Sequence, residues 1–464
     1  MKLAKQLLSI LLLALTWQLA TAKVSLPSIF NNHMVLQQNS EVKLWGWANP
    51  TEKVTVTTSW STDTLETWGN SHCDWSVNLS TPSAGGPYEI TIQGYNKIVL
   101  NDVLLGEVWL LSGQSNMEWH AQLGFDNSEQ EVKNAKHPNI RFFTVSRRTS
   151  QYPQSNVEGQ WQACTPESMK YFSAIGYIFG RTLKDSLNVP IGLINTAWGG
   201  SPIEIWMPEA TINNDAFLLE ESKKIEEMAW SAREPGQAYN AMIAPIMPYN
   251  IAGVLWYQGE TNAANPKAYT KMLSTMVDSW RNGFKKDFPF YYAQIAPWNN
   301  YGPVSGAQVR EAQRRALGVI DNSGMVVVSD IGDTLDIHPR NKIDAGLRFA
   351  NLALNQTYGK SDLPISGPLY SSFTTKGNKV LVQFHYSEGL YEKGSALELF
   401  EVKDSDGTWF PAKAKIKNNS IEVYNKKVEK PIGVRFAWSS NATPGLFNAQ
   451  GLPASCFTSE EDME

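Results

Sequence analysis

Apolar and polar residues alternate in short runs through the first part of the chain beyond residue 22. Val42-Lys43-Leu44-Trp45-Gly46-Trp47, Val54-Thr55-Val56-Thr57 and Tyr88-Glu89-Ile90-Thr91-Ile92 place apolar side chains at nearly every second position, with a turn signal at Ala84-Gly85-Gly86-Pro87. Period-two runs of this length predict a small antiparallel β domain over residues 23–104. Near Val103 the pattern changes. Continuous apolar runs at 108–111, 140–145, 191–197, 253–257, 290–295 and 325–329 now alternate with helix-period segments at 174–187, 209–229, 266–284 and 309–320. That alternation predicts an α/β catalytic domain over 105–360, a mostly parallel sheet flanked by helices. Sheets of this kind bind ligands at the carboxyl ends of their strands. One further helix follows Pro339, with Ile343, Leu347, Ala350 and Leu354 on one stripe and the proline near its first turn. Alternating runs return over 361–464, as in Lys379-Val380-Leu381-Val382-Gln383-Phe384, and predict a second antiparallel β region.

The first 22 residues follow another logic. Lys2 and Lys5 precede an almost wholly apolar run at 7–15, and Ala20-Thr21-Ala22 offers small residues for cleavage. This is the pattern of a secretory signal peptide, too short for a transmembrane span, so an exported protein, periplasmic or extracellular, is expected. Two basic and no acidic residues leave with that segment, so the formal net charge moves from −5 to −7. A mildly acidic surface argues against a nucleic-acid partner. Cys73, Cys164 and Cys456 are too few for a disulfide framework or a zinc site, although one disulfide is possible. Seventeen Trp, 17 Tyr and 18 Phe are a heavy aromatic load, suited either to stacking on sugar rings or to filling β cores.

The candidate chemistry sits where predicted strands end. In Leu110-Leu111-Ser112-Gly113-Gln114-Ser115-Asn116-Met117-Glu118-Trp119 a glycine lets the chain turn, and Ser115 stands just beyond the strand. A serine hydroxyl there is either a helix cap or a nucleophile, and as a nucleophile it needs a base within hydrogen-bond reach. Gly199 and Gly200 follow another strand, so a backbone N–H can approach a substrate oxygen without a Cβ in the way, unless the pair serves only a tight turn. Gln258 and Asn262 follow a third strand, and either amide could complete an oxyanion hole with the Ser115 N–H, at roughly 3–4 kcal/mol per donor. Gln258 is favoured because it is nearer the strand end. Of six histidines, His338 alone follows a predicted core strand of this region and opens a helix, as a base for Ser115 would. Asp336 would orient that imidazole, with Asp333, Asp330 or a backbone carbonyl as rivals. Glu260 either orients the site or forms a solvent-facing or structural ion pair.

The Ser115 segment resembles the SGNH (GDSL-like) hydrolases, and within them the sialate O-acetylesterase-like branch. Three more segments match that branch in order: Trp198-Gly199-Gly200-Ser201-Pro202-Ile203-Glu204-Ile205-Trp206, Trp256-Tyr257-Gln258-Gly259-Glu260-Thr261-Asn262 and Asp336-Ile337-His338-Pro339-Arg340-Asn341-Lys342. The resemblance spans nearly the whole chain after residue 22. It implies a cofactor-free serine esterase acting on an O-acetylated sugar or glycan, with Ser115, His338 and Asp336 catalytic and Gln114, Glu260 and Arg340 among the substrate-contacting residues. The chain departs from the wider superfamily at Leu335, where the acid commonly stands three residues before the histidine. The Gln-Gly-Glu segment likewise replaces the superfamily's asparagine block. The branch implies O-acetylated sialic acid as substrate, whose carboxylate calls for an Arg or Lys such as Arg340 or Lys342. Relatives with the same motifs act on acetylated xylan or xyloglucan. A non-catalytic carbohydrate-binding protein is the remaining reading.

Overall fold

The structure is a computed structural model that describes residues 23–463; the expected signal peptide lies outside the described residues. Six short strands come first, β1 (Val35–Gln37), β2 (Ser40–Trp47), β3 (Lys53–Thr58), β4 (Thr64–Trp68), β5 (Asp74–Thr81) and β6 (Gly85–Gln93). β2 pairs with β5, and β3 with β4 and β6, all antiparallel. The seventeen residues of β7 (Lys97–Gly113) then run without a break across residue 104. Its first half pairs antiparallel with β6, and its second half is the centre of the main sheet. No linker separates the two regions; one strand belongs to both.

The main sheet adds β8 (His137–Thr144), β9 (Trp161–Cys164), β10 (Ile191–Asn195), β11 (Gly253–Tyr257), β12 (Phe290–Gln294) and β13 (Ser323–Val327) in the order β13-β12-β11-β7-β10-β8-β9. Every pairing from β13 to β8 is parallel, and only the edge strand β9 is antiparallel. β10, β11 and β12 are buried at every position, as expected of strands covered on both faces. Along β7 the side chains alternate between two cores. Val108 and Leu110 share one with the N-terminal strands, while Trp109 and Leu111 face helices Ala174–Leu187 and Lys342–Gln356. A one-residue slip would exchange these sets, so the register that places Ser115 is fixed by burial on both faces.

The differences from expectation include two helices and one disulfide. The segment 209–229 forms two short helices, Glu209–Asn213 and Ala216–Ser222. Asp215 breaks it by accepting from the N–H groups of Phe217 and Leu218, a helix cap in mid-pattern. The helix after Pro339 starts at Lys342, because Asn341 accepts from the Asp344 N–H at 3.0 Å and caps it there. The possible disulfide is not formed: Cys73 is exposed, Cys164 and Cys456 are buried, and all three are free.

The C-terminal region forms two four-stranded antiparallel sheets over its own apolar core. It is tied to the main sheet through helix Ser305–Ala316. The almost fully buried Arg310 donates to the carbonyls of Ser439 and Ser440, and Gln294 on β12 donates to Ser455 Oγ at 2.7 Å.

Candidate active site

β7 ends at Gly113, whose φ of +127° belongs to glycine; a Cβ there would stand 2.2 Å from the Tyr257 carbonyl oxygen of β11. The sharp turn sends the chain into the short helix Ser115–Glu118. Ser115 is its first residue, a position whose N–H has no acceptor within the helix. Behind it, Ser173 caps helix Ala174–Leu187 and donates to the Met117 carbonyl at 2.6 Å, which fixes the segment against the sheet.

His338 reaches this point from the loop after β13. Its Nε2 lies 2.9 Å from Ser115 Oγ, across 223 residues of chain. The imidazole stacks on Trp119 with centroids 4.2 Å apart. Burial, then the nearby Lys342 cation, push its pKa below the usual histidine value, against the opposing pull of Asp336. A neutral imidazole is therefore the resting form at neutral pH. Asp336 holds the loop by accepting from the His338 backbone N–H at 2.8 Å, while its carboxylate stands 3.7 Å from Nδ1, beyond hydrogen-bond range. The rivals are committed elsewhere: Asp330 binds Arg348 through both oxygens, Asp333 accepts from the Leu335 N–H, and Leu335 itself is exposed.

Beneath the pair lies a buried network that the sequence reading did not foresee. The Asn116 amide donates to Glu260 Oε1 at 2.6 Å and to the Ile337 carbonyl at 3.0 Å, and accepts from Lys342 Nζ at 2.6 Å. One side chain thus joins the residue after Ser115 to the residue before His338. Burial brings the Lys342 ammonium down to about 7 and raises Glu260 above the usual carboxylate value. Glu260 is a buried strut, not a solvent-facing charge.

Two expected oxyanion donors are displaced by this packing. Gln258 is fully buried and donates to the Ser201 carbonyl and to Asn262 Oδ1, while its Oε1 accepts from Tyr269. Asn262 donates to Glu204 and Asn265. Both amides spend their N–H groups bracing the wall below the site. Gln114 lines the site instead: Gly259 and Thr261 N–H groups hold its Oε1 at 3.2 and 3.4 Å, which leaves Nε2 as the uncommitted end. Gly199 lies beside Ser115, but its N–H is occupied by Glu118 Oε2 at 2.9 Å. Glu118 in turn is paired with Arg147.

These groups open into a cavity of about 580 Å³ lined by Ser115, His338, Gly199, Gly200 and an aromatic set of Trp119, Trp230 and Trp298. Trp230 is 68% exposed, free to present its face to a ligand. Arg340 is not part of the lining; it points outward, 3.7 Å from Asp126. Arg147, on the loop after β8, supplies the cavity's cation. Asn116, Glu118 and Trp119 stood inside the recognised serine motif. Arg147 and Trp230 lie in segments with no periodic pattern, and no sequence signal marked them.

Residues 105–355 match the family described as carbohydrate esterase, sialic acid-specific acetylesterase. A sialate O-acetylesterase of Homo sapiens is 29% identical, covering 89% of this chain and 87% of its own, and one of Mus musculus is 28% identical over 89% of each. The crystal structure of a carbohydrate acetylesterase from Xanthomonas citri superposes with a TM-score of 0.86 at 33% identity, covering 95% of this chain and 100% of its own.

Proposed function

Because this chain belongs to the carbohydrate esterase, sialic acid-specific acetylesterase family, we propose that it hydrolyses O-acetyl esters of sialic acids, with Ser115 as nucleophile and His338 as base. Membership of that family makes it a carboxylic ester hydrolase. The observation that supports the residue roles most is the 2.9 Å contact between Ser115 Oγ and His338 Nε2 inside an aromatic-walled cavity.

In the first step Ser115 Oγ attacks the acetyl carbonyl carbon as its proton passes to His338 Nε2. The new oxyanion is received by the Ser115 N–H and Gln114 Nε2, with the Gly199 N–H as a third donor only once Glu118 gives it up. A carboxylate at the Asp336 position and the face of Trp119 both favour the imidazolium that results. Collapse breaks the ester C–O bond, and His338 returns the proton to the sugar oxygen. Water then attacks the acetyl-serine with His338 again as base, releasing acetate and restoring Ser115. Export of the chain by residues 1–22 is part of the same proposal, and the N-terminus of protein recovered outside the cytoplasm would begin near Lys23.

A second reading, esters on acetylated xylan or xyloglucan, draws on the tryptophan-lined cavity, which suits neutral sugar rings. Acetate release from O-acetylated sialic acid and from acetylated xylan, compared as kcat/KM, decides between them. A preference for xylan would overturn the sialate reading, and turnover of neither would overturn both substrate readings.

A further inference from the structure

Gly199 lies beside Ser115, and a carboxylate oxygen already occupies its backbone N–H. Glu118 Oε2 accepts that N–H at 2.9 Å, and a Cβ built on Gly199 would meet Glu118 Oε2 at 3.1 Å and Ser115 Cβ at 3.4 Å. Nucleophile and carboxylate therefore flank the same residue. An ester cannot use that donor while Glu118 holds it, and a fixed negative charge beside a developing one raises the barrier rather than lowering it.

What holds Glu118 in place is Arg147, which binds its other oxygen. Among the cavity's lining residues Arg147 alone carries a permanent positive charge; the remaining charged side chains there, Glu118, Glu226 and Glu260, are acids. The Arg147 side chain is 48% exposed and lines the cavity. A planar guanidinium is the natural partner of a carboxylate on a ligand, and it binds one through two parallel hydrogen bonds.

We propose that the Glu118–Arg147 pair is a specificity-determining device: the carboxylate of an acidic sugar takes Arg147 from Glu118, and the released Glu118 leaves the Gly199 N–H to the oxyanion. Recognition of the acid group is thereby coupled to completion of the oxyanion hole. A neutral ester binds beside an intact pair and meets a site short of one donor. This rests on the sialic acid reading and adds the means by which acid and neutral sugars are told apart in kcat as well as in KM. Neither Glu118 nor Arg147 exchanges a covalent bond; both are positioning residues.

The test uses O-acetylated sialic acid and its carboxyl methyl ester, which differ in the charge that Arg147 would read and in one methyl group. Wild-type enzyme should turn over the acid with a kcat at least tenfold above that of the methyl ester. Glu118→Ala should raise kcat on the methyl ester about tenfold and abolish the difference, and Glu118→Gln, whose amide oxygen still accepts the Gly199 N–H, should do so by less. Arg147→Met should lower kcat/KM on the acid at least thirtyfold and, because it too releases Glu118, raise kcat on the methyl ester severalfold. Melting temperatures matched to wild type would establish that the variants fold. Wild type active on the acid, with both Glu118 variants slower than wild type on both substrates, would overturn the exchange and make Glu118 a brace for the Gly199 turn. Wild type inactive on the acid yet active on acetylated xylan would overturn the substrate reading, and the exchange with it.

Discussion

Replacing Asn116 by alanine probes the joint on which the site depends. The side chain is fully buried and makes three hydrogen bonds, two of them to ionisable groups, Glu260 and Lys342, and one to the Ile337 carbonyl. Bonds to charged partners are worth about 1.5–3 kcal/mol each and a neutral one about 1 kcal/mol, so their plain sum is roughly 4–7 kcal/mol. The loss is tempered because Lys342, with a pKa of about 7, and Glu260, with its raised one, can both become neutral once their shared partner is gone. We therefore expect a stability loss of about 3–5 kcal/mol. The catalytic cost follows from geometry. Asn116 ties the segment carrying Ser115 to the one carrying His338, and a shift of about 1 Å between reacting groups costs on the order of 100-fold in rate. Urea unfolding followed by tryptophan fluorescence, together with kcat on p-nitrophenyl acetate below the unfolding transition, measures both. Asn116→Asp keeps an acceptor for Lys342 but opposes the Glu260 carboxylate, so it should recover little of either loss. An Asn116→Ala enzyme less than about 1 kcal/mol destabilised, a loss well below even one charged hydrogen bond, and with near-normal kcat would refute the reasoning.

Three further outcomes follow from the same geometry. His338 must be neutral to accept the Ser115 proton, and its pKa is pushed below the usual histidine value, so kcat/KM should hold into mildly acidic pH and fall only as pH drops through that lowered value. Lys342→Met removes a cation that lowers it, and the acidic limb of the pH–rate profile should move to higher pH; a limb that stays put or moves the other way contradicts this. Asp336→Asn should cost roughly tenfold in kcat, because the carboxylate is half exposed and 3.7 Å from Nδ1, where an ion pair is worth about 1–4 kcal/mol; a loss of about 10⁴, as for a tightly bonded triad acid, would show that Asp336 closes on His338 during turnover. Trp230→Ala should raise KM for the sugar ester about tenfold with kcat little changed, since one stacking face is worth about 1–1.5 kcal/mol of binding, and an equal loss in kcat would instead place it in the chemistry.

The sheet was legible because its strands are buried on both faces and so read as continuous apolar runs. Gly253–Tyr257 carries the bounds its apolar run predicts, and Phe290–Gln294 and Ile191–Asn195 end within two residues of theirs. The segment 209–229 was less legible because a local event, the Asp215 side chain capping its own backbone, overrides the helical period. In the site, backbone placement was readable and side-chain direction was not. Strand ends put Ser115, Gly199 and Gln258 at one rim, but whether an amide faces the cavity or the core depends on partners far away in sequence. Gln258 turns inward because Ser201, Asn262 and Tyr269 satisfy every polar atom it has. Arg340 and Lys342 stand two residues apart, yet one faces Asp126 at the surface and the other is buried against Asn116, a division set by where the Asn341 cap starts the helix.

The mechanism requires an acetyl group carried by Ser115. Acid quenching during steady-state turnover of p-nitrophenyl acetate, followed by peptide mass analysis, reads it directly. An acetylated peptide containing Ser115 is expected, absent from both Ser115→Ala and His338→Ala, with ester turnover by Ser115→Ala down by about 10⁴ or more. Acetylation at any other residue, or a Ser115→Ala enzyme that keeps its activity, would contradict it.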